Sequence, residues 1–327
     1  MNTPAKLGVF GAAVAVVFAG AFGVGHAVGP VGAPAPAGHT ADGAPAHEPG
    51  SAKGGKKTDA EPPGGLQVSE NGYTLALDEN RLDAGRDRAL SLRVLGPDGE
   101  PVTRFETVHD KKLHLVLATR DLSTYRHLHP SLDEDGTWST SADLVKAGDY
   151  RVFADFTPDA PGAEPLTLGA DLAVTGDYEP EAVPAASRTA TVDDYEVTLT
   201  GGLEPGASGK VRLSVSKDGE PVTDLEPYLG AYGHLVALRA GDLAYLHVHP
   251  DGAPGDGTTP PGPAVAFHVE APSAGTYRLY LDFKHDGKVR TAAFTAHAGA
   301  KPAAGAAAEA EKGTEKGGND HGDGHAH

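Results

Sequence analysis

From Tyr73 onward the chain alternates apolar and polar residues in short runs: "YTLALD", "LSLRVLG", "LHLVLAT", "YRVFADF" and "LGADLAV". Alternation with a period of two turns one face of a segment toward a core and the other toward water, which is a β-strand pattern. The stretches "GPDGEP" and "EDG" between runs carry turn residues. A second series follows: "YEVTLTG", "KVRLSVS", "HLVALRA", "VAFHVEA", "YRLYLDF" and "VRTAAFTA". No window sustains the helical period, so the pattern predicts an all-β protein.

The two series are copies. "DGEPVT" occurs at Asp98–Thr103 and again at Asp218–Thr223, 120 positions later. "GDYRVFADF" at Gly148–Phe156 answers "GTYRLYLDF" at Gly275–Phe283, now 127 positions later. An insertion of seven residues therefore falls in the Pro/Gly-rich "DGAPGDGTTPPGP" of the second copy. The copies span residues 66–176 and 184–298, joined by a linker at 177–183. About 110 residues of short strands suit an antiparallel β-sandwich. The expectation is two tandem Ig-like or cupredoxin-like domains. Trp138 has no cysteine pair around it, which argues against an antibody-type domain.

The flanks are different in kind. Residues 29–65, a Pro/Ala/Gly linker, and residues 299–327, a His-containing tail, hold too little apolar surface to offset the entropy of ordering and are expected to be disordered. Lys6 precedes an apolar, charge-free stretch, Leu7–Gly25, and residues 1–28 read as a signal peptide or an N-terminal membrane anchor. Either places the rest outside the cytoplasm, secreted or held at the membrane. Net charge is −18 with no Lys/Arg stripe in the folded part, which excludes a nucleic-acid partner. Cysteine is absent and Met1 is the single methionine, so thiolate and thioether metal sites are excluded.

What remains for chemistry is histidine. "YRHLHP" at Tyr125–Pro130 recurs as "YLHVHP" at Tyr245–Pro250. Each follows an apolar strand bearing a histidine, His114 or His234, after a loop expected to be two residues long (Arg120-Asp121 and Ala240-Gly241). That hairpin sets His114 directly opposite His127, with His129 on the same face; His234, His247 and His249 repeat the arrangement. Tyr125 and Tyr245 share the histidine face, and Pro130 and Pro250 end the strands near the rim. A His-x-His strand beside a third imidazole builds a nitrogen site for Cu(II) or Zn(II), one per domain. Asp155 and Asp282, at equivalent places in a later strand, are the carboxylates that could ligate the ion or orient a ligand. The alternative is a packed polar cluster retained from duplication. His321, His325 and His327 in the tail offer loose metal binding. His109, His268, His285 and His297 have no counterpart in the other copy and are set aside.

No G-x-S-x-G, H-E-x-x-H or phosphate-cradling glycine loop occurs, and no nucleophile is paired with a base, so a binding protein is expected rather than an enzyme. The "YRHLHP" and "YLHVHP" motifs, each followed by a "G-x-Y-R" strand ending in "DF", resemble exported or membrane-anchored bacterial Ig-like proteins of unknown function, some linked to heavy-metal handling. The resemblance spans both copies. It implies an extracytoplasmic location and copper as the metal, and supplies no activity. The two functions left open are sequestration or delivery of a divalent transition metal, with the metal ion as partner, and a cell-surface interaction module whose histidines are only packed.

Overall fold

The structure is a computed structural model that describes residues 62–299 except residue 247. Residues 1–28, most of the 29–65 linker and nearly all of the tail lie outside the described residues, as does His247. The described part falls in one compact unit, Ala60–His327, that contains both copies. Every regular element described is a strand, and no helix there is long and apolar enough to cross a membrane.

The first copy comprises β1 (Ser69–Glu70), β2 (Tyr73–Leu77), β3 (Arg81–Asp83), β4 (Gly85–Leu95) and β5 (Leu113–Thr119). It continues with β6 (Tyr125–Leu128), β7 (Ser131–Leu132), β8 (Thr137–Leu144), β9 (Gly148–Phe156) and β10 (Leu166–Thr175). The second copy has β11 (Thr189–Val192), β12 (Tyr195–Gly201), β13 (Ala207–Lys217), β14 (Glu220–Pro221) and β15 (His234–Arg239). Its remaining strands are β16 (Tyr245–Leu246), β17 (Val248–Pro250), β18 (Ala264–Ala271), β19 (Gly275–His285) and β20 (Lys288–Ala298).

Each copy is a two-sheet sandwich. In the first, one sheet runs β1-β2-β4-β8-β7 and the other β3-β10-β9-β5-β6. In the second, β11-β12-β13-β18-β17 packs against β16-β15-β19-β20. Pairing is antiparallel except where β3 runs parallel to β10. Trp138 and Phe105 meet edge-on in the first core, 5.2 Å between ring centroids. Phe267, Phe283 and Phe294 are buried in the second.

One detail fixes the sandwich type. The Tyr150 hydroxyl donates to the Lys146 carbonyl at 2.8 Å, and Tyr277 donates to Ser273 at 2.7 Å. A tyrosine at the start of a strand bonded to backbone a few residues upstream is the tyrosine corner of Ig-like sandwiches. The copies are Ig-like.

The two sandwiches also share a core. All seven residues of β5 are buried, because its two faces serve two different cores. Leu113, Leu115 and Leu117 fill the first sandwich, while Val116 and Ala118 join Leu122, Tyr125 and Phe153 in a separate cluster. That cluster is completed from the second copy by Val236, Leu238, Leu243 and Tyr280. Tyr125 and Tyr280 stack across it, 4.0 Å apart and 5° from parallel. Leu122 and Leu243 enter it from their hairpin loops in the left-handed conformation, φ 58° and 63°. That conformation is costly for leucine, so burial of the side chains must hold it.

Candidate metal centre

The histidines fall in this seam by parity. His114 lies on the β5 face that carries Val116 and Ala118, and His234 on the β15 face that carries Val236 and Leu238. The hairpin register differs from the sequence expectation by two residues. β5 pairs Val116 with His127 and Ala118 with Tyr125, and the Thr119 amide bonds the Thr124 carbonyl. The loop is thus four residues long, Arg120–Ser123, with Leu122 folded inward. The second copy does the same, pairing Leu238 with Tyr245 and Arg239 with Ala244. A shift of two preserves the face. His127 therefore still projects beside His114, although diagonally rather than directly across.

A larger difference is that, among the described residues, the imidazoles that come together do so across the two copies. One nitrogen each of His114, His127 and His234 lies within 4.8 Å of the others, so two rings of the first copy meet one of the second. His234 lies over both partners, its ring 5.3 Å from that of His114 and 5.2 Å from that of His127.

Hydrogen bonds fix which nitrogens are free. His114 Nε2–H donates to the Val108 carbonyl at 3.1 Å, so the neutral ring keeps its lone pair on Nδ1. His127 Nδ1–H donates to Asp282 at 2.8 Å, with both side chains 3 % exposed. The His127 lone pair is then on Nε2. Thr291 donates to the other Asp282 oxygen at 2.5 Å, holding the carboxylate in place. The two lone-pair nitrogens, His114 Nδ1 and His127 Nε2, face each other at 3.3 Å. Neutral rings cannot hydrogen-bond through two lone pairs; the gap calls for a cation, either a proton on His127 or a metal ion. Two imidazoles on one tetrahedral Zn(II), each about 2.05 Å from it, would stand about 3.3 Å apart. A carboxylate and a carbonyl holding the far nitrogens is also the usual outer support of ligating histidines.

The surroundings favour the neutral form of His114, His129 and His234. Burial, opposed by the Val108 hydrogen bond and reinforced by neighbouring histidines, lowers the His114 pKa to about 4. His129 falls to about 3, mainly through burial. Burial and then the other histidines lower His234 as well. Neutral imidazoles are what a metal requires.

The remaining candidates separate. The His129 ring lies 4.8 Å from His127 and 5.2 Å from His114. His249 is exposed on β17, in the opposite sheet, paired with His268 of β18. Asp155 accepts from Thr167 at 3.1 Å, and burial raises its pKa to about 6. Of the equivalent carboxylates Asp155 and Asp282, Asp282 is the one hydrogen-bonded to a seam histidine, His127. Tyr125 and Tyr245 are packing residues, stacked on Tyr280 and against Phe153. His109, set aside for want of a counterpart, lies 5.3 Å from His234 and 6.1 Å from His114. Only the fold shows this, since a turn brings His109 to the seam. His285 instead bridges Tyr195 and Asp224, and His297 bonds Thr276, both away from the seam.

Fold and site together define a tandem Ig-like protein with an imidazole cluster between its domains. The chain belongs to the family described as "Domain of unknown function (DUF8832)", whose model matches residues 67–163 and again 190–300. Curated proteins give no match. Among solved structures, the chain is similar to the Escherichia coli adhesin FdeC, with 14 % identity over 71 % of this chain and 65 % of that one, TM-score 0.21. Similar too is invasin, a bacterial integrin-binding protein, with 12 % identity, 68 % and 39 % coverage, TM-score 0.20. A third is a Corynebacterium diphtheriae protein described as membrane anchored, with 10 % identity, 71 % and 60 % coverage, TM-score 0.21. The chain thus spans less than two thirds of each of these relatives.

Proposed function

We propose that this protein holds one divalent transition-metal ion, Cu(II) or Zn(II), in the seam between its domains, for sequestration or delivery outside the cytoplasm. The facing lone pairs of His114 Nδ1 and His127 Nε2 at 3.3 Å carry this reading. His234 is the third ligand and Asp282 orients His127. The protein is a binder rather than an enzyme, since no nucleophile paired with a base stands out in the sequence. The apolar stretch Leu7–Gly25 supports export, by a cleaved signal or a retained anchor.

The test is calorimetric titration of the chain with His321, His325 and His327 replaced by Ala, beside His127→Ala and His234→Ala variants. One tight equivalent, lost in either variant although they lie in different domains, is expected. Two independent equivalents, each lost with its own domain's histidine, would restore one site per domain.

A second reading has its own observation. The rings of His114 and His234 stack 13° from parallel beside an apolar seam, as packed side chains would. In that reading the tandem is a surface interaction module and a proton on His127 fills the gap. No tight binding of either ion would select it.

A further inference from the structure

Building on the metal reading, we infer that His129 supplies the fourth ligand and closes the centre against exogenous ligands. Its Nε2 is buried and has no hydrogen-bond partner. Leaving a polar atom so placed costs about 1–3 kcal/mol, and such groups call for an explanation. His129 stands two residues beyond His127 and projects from the same face. Continuing the β5–β6 pairing by one step sets it opposite His114. Its ring is next to both, at 4.8 and 5.2 Å, and Tyr228 backs it edge-on at 6.3 Å. The unpaired nitrogen thus belongs to a ring already in place beside two ligands.

The two nearby carboxylates are committed elsewhere. Asp282 accepts from His127 and Thr291, and Asp155 from Thr167. Four protein ligands make a closed site, whereas three and a water make an open one of the catalytic kind. His129 lies outside the trio whose nitrogens come within 4.8 Å of one another, so its ring must move to close the site. A closed four-imidazole site suits holding an ion better than acting through it.

The test uses the full chain with the three tail histidines replaced, loaded with Cu(II). Nitrogen superhyperfine structure in its electron paramagnetic resonance spectrum counts the ligating imidazoles, and azide probes for an open position. Expected are four nitrogens and a visible band that azide leaves unchanged. His129→Ala should bind Cu(II) about tenfold or more weakly, respond to azide, and regain the parent spectrum when imidazole is added. His129→Gln, which leaves less of a cavity, should show the same weakening. A parent that already responds to azide, or a variant with unchanged affinity, would overturn the assignment of His129 while leaving the three-histidine site standing. A parent that takes up no stoichiometric Cu(II) would remove that site and His129 with it.

Discussion

The two Tyr-x-His-x-His-Pro segments are nearly identical in sequence and differ in fate. In the first copy the strand stays on β5 through Leu128 and joins the opposite sheet only at Ser131, as β7. In the second, Leu246 is the last described residue paired with β15, and from Val248 the strand pairs with β18. The earlier crossover sets His249 on the exposed edge strand β17, where it still acts electrostatically on His109, while His129 stays beside His114 and His127. The inserted Pro/Gly-rich stretch follows this strand and separates it from β18, giving the chain length to pair early. A repeated motif need not give each matching residue the same place: joining the opposite sheet three residues sooner relocates His249.

Breaking that asymmetry should show first in metal binding. Loss of His127 should abolish tight uptake, whereas His249→Ala should leave affinity within about twofold; equal losses in both would mean that each domain carries its own site. Asp282→Asn should weaken binding by about 10–100-fold, and Asp155→Asn should not, as read in the same titrations. Next come the inward-turned leucines, where the copies do act alike. Leu122→Ala and Leu243→Ala should each cost about 2–5 kcal/mol in urea unfolding, and a large effect of only one would mean that the seam is held from one side.

Acid should come next in size. The folded pKa values of His114 and His129 lie at about 4 and about 3, below the unfolded value of 6.5. The unfolded chain therefore binds more protons in this window. The stability from keeping these rings neutral is fully present above about pH 6.5 and is lost as the pH falls toward 4. In chelator-treated protein the loss should be on the order of 2 kcal/mol, followed through the urea midpoint. His114→Gln should flatten the profile, and a slope unchanged by it would show that the seam histidines are not its source. Smallest are the tyrosine corners. Tyr150→Phe and Tyr277→Phe should each cost about 1 kcal/mol, and a clear inequality would show one domain to be the weaker.

The alternating runs, the turn signals and the internal repeat fixed an all-β tandem from sequence alone, because period-two burial is a local property of each strand. Side-chain parity was equally legible. The histidines of the first hairpin share a face whichever even register is adopted, so a wrong loop length left their convergence readable. Three things were decided only by the tertiary structure. "LHLVLAT" buries both of its faces, which alternation cannot distinguish from burial on one, and the second face became the seam between domains. That seam drew His234 and Asp282 to His127 across 107 and 155 positions of chain, a pairing that no local spacing encodes. It also recruited His109, which the repeat could not flag because the second copy has Leu229 in its place. Strand patterns record where each residue points relative to its own sheet; which sheet lies opposite depends on how two finished surfaces pack.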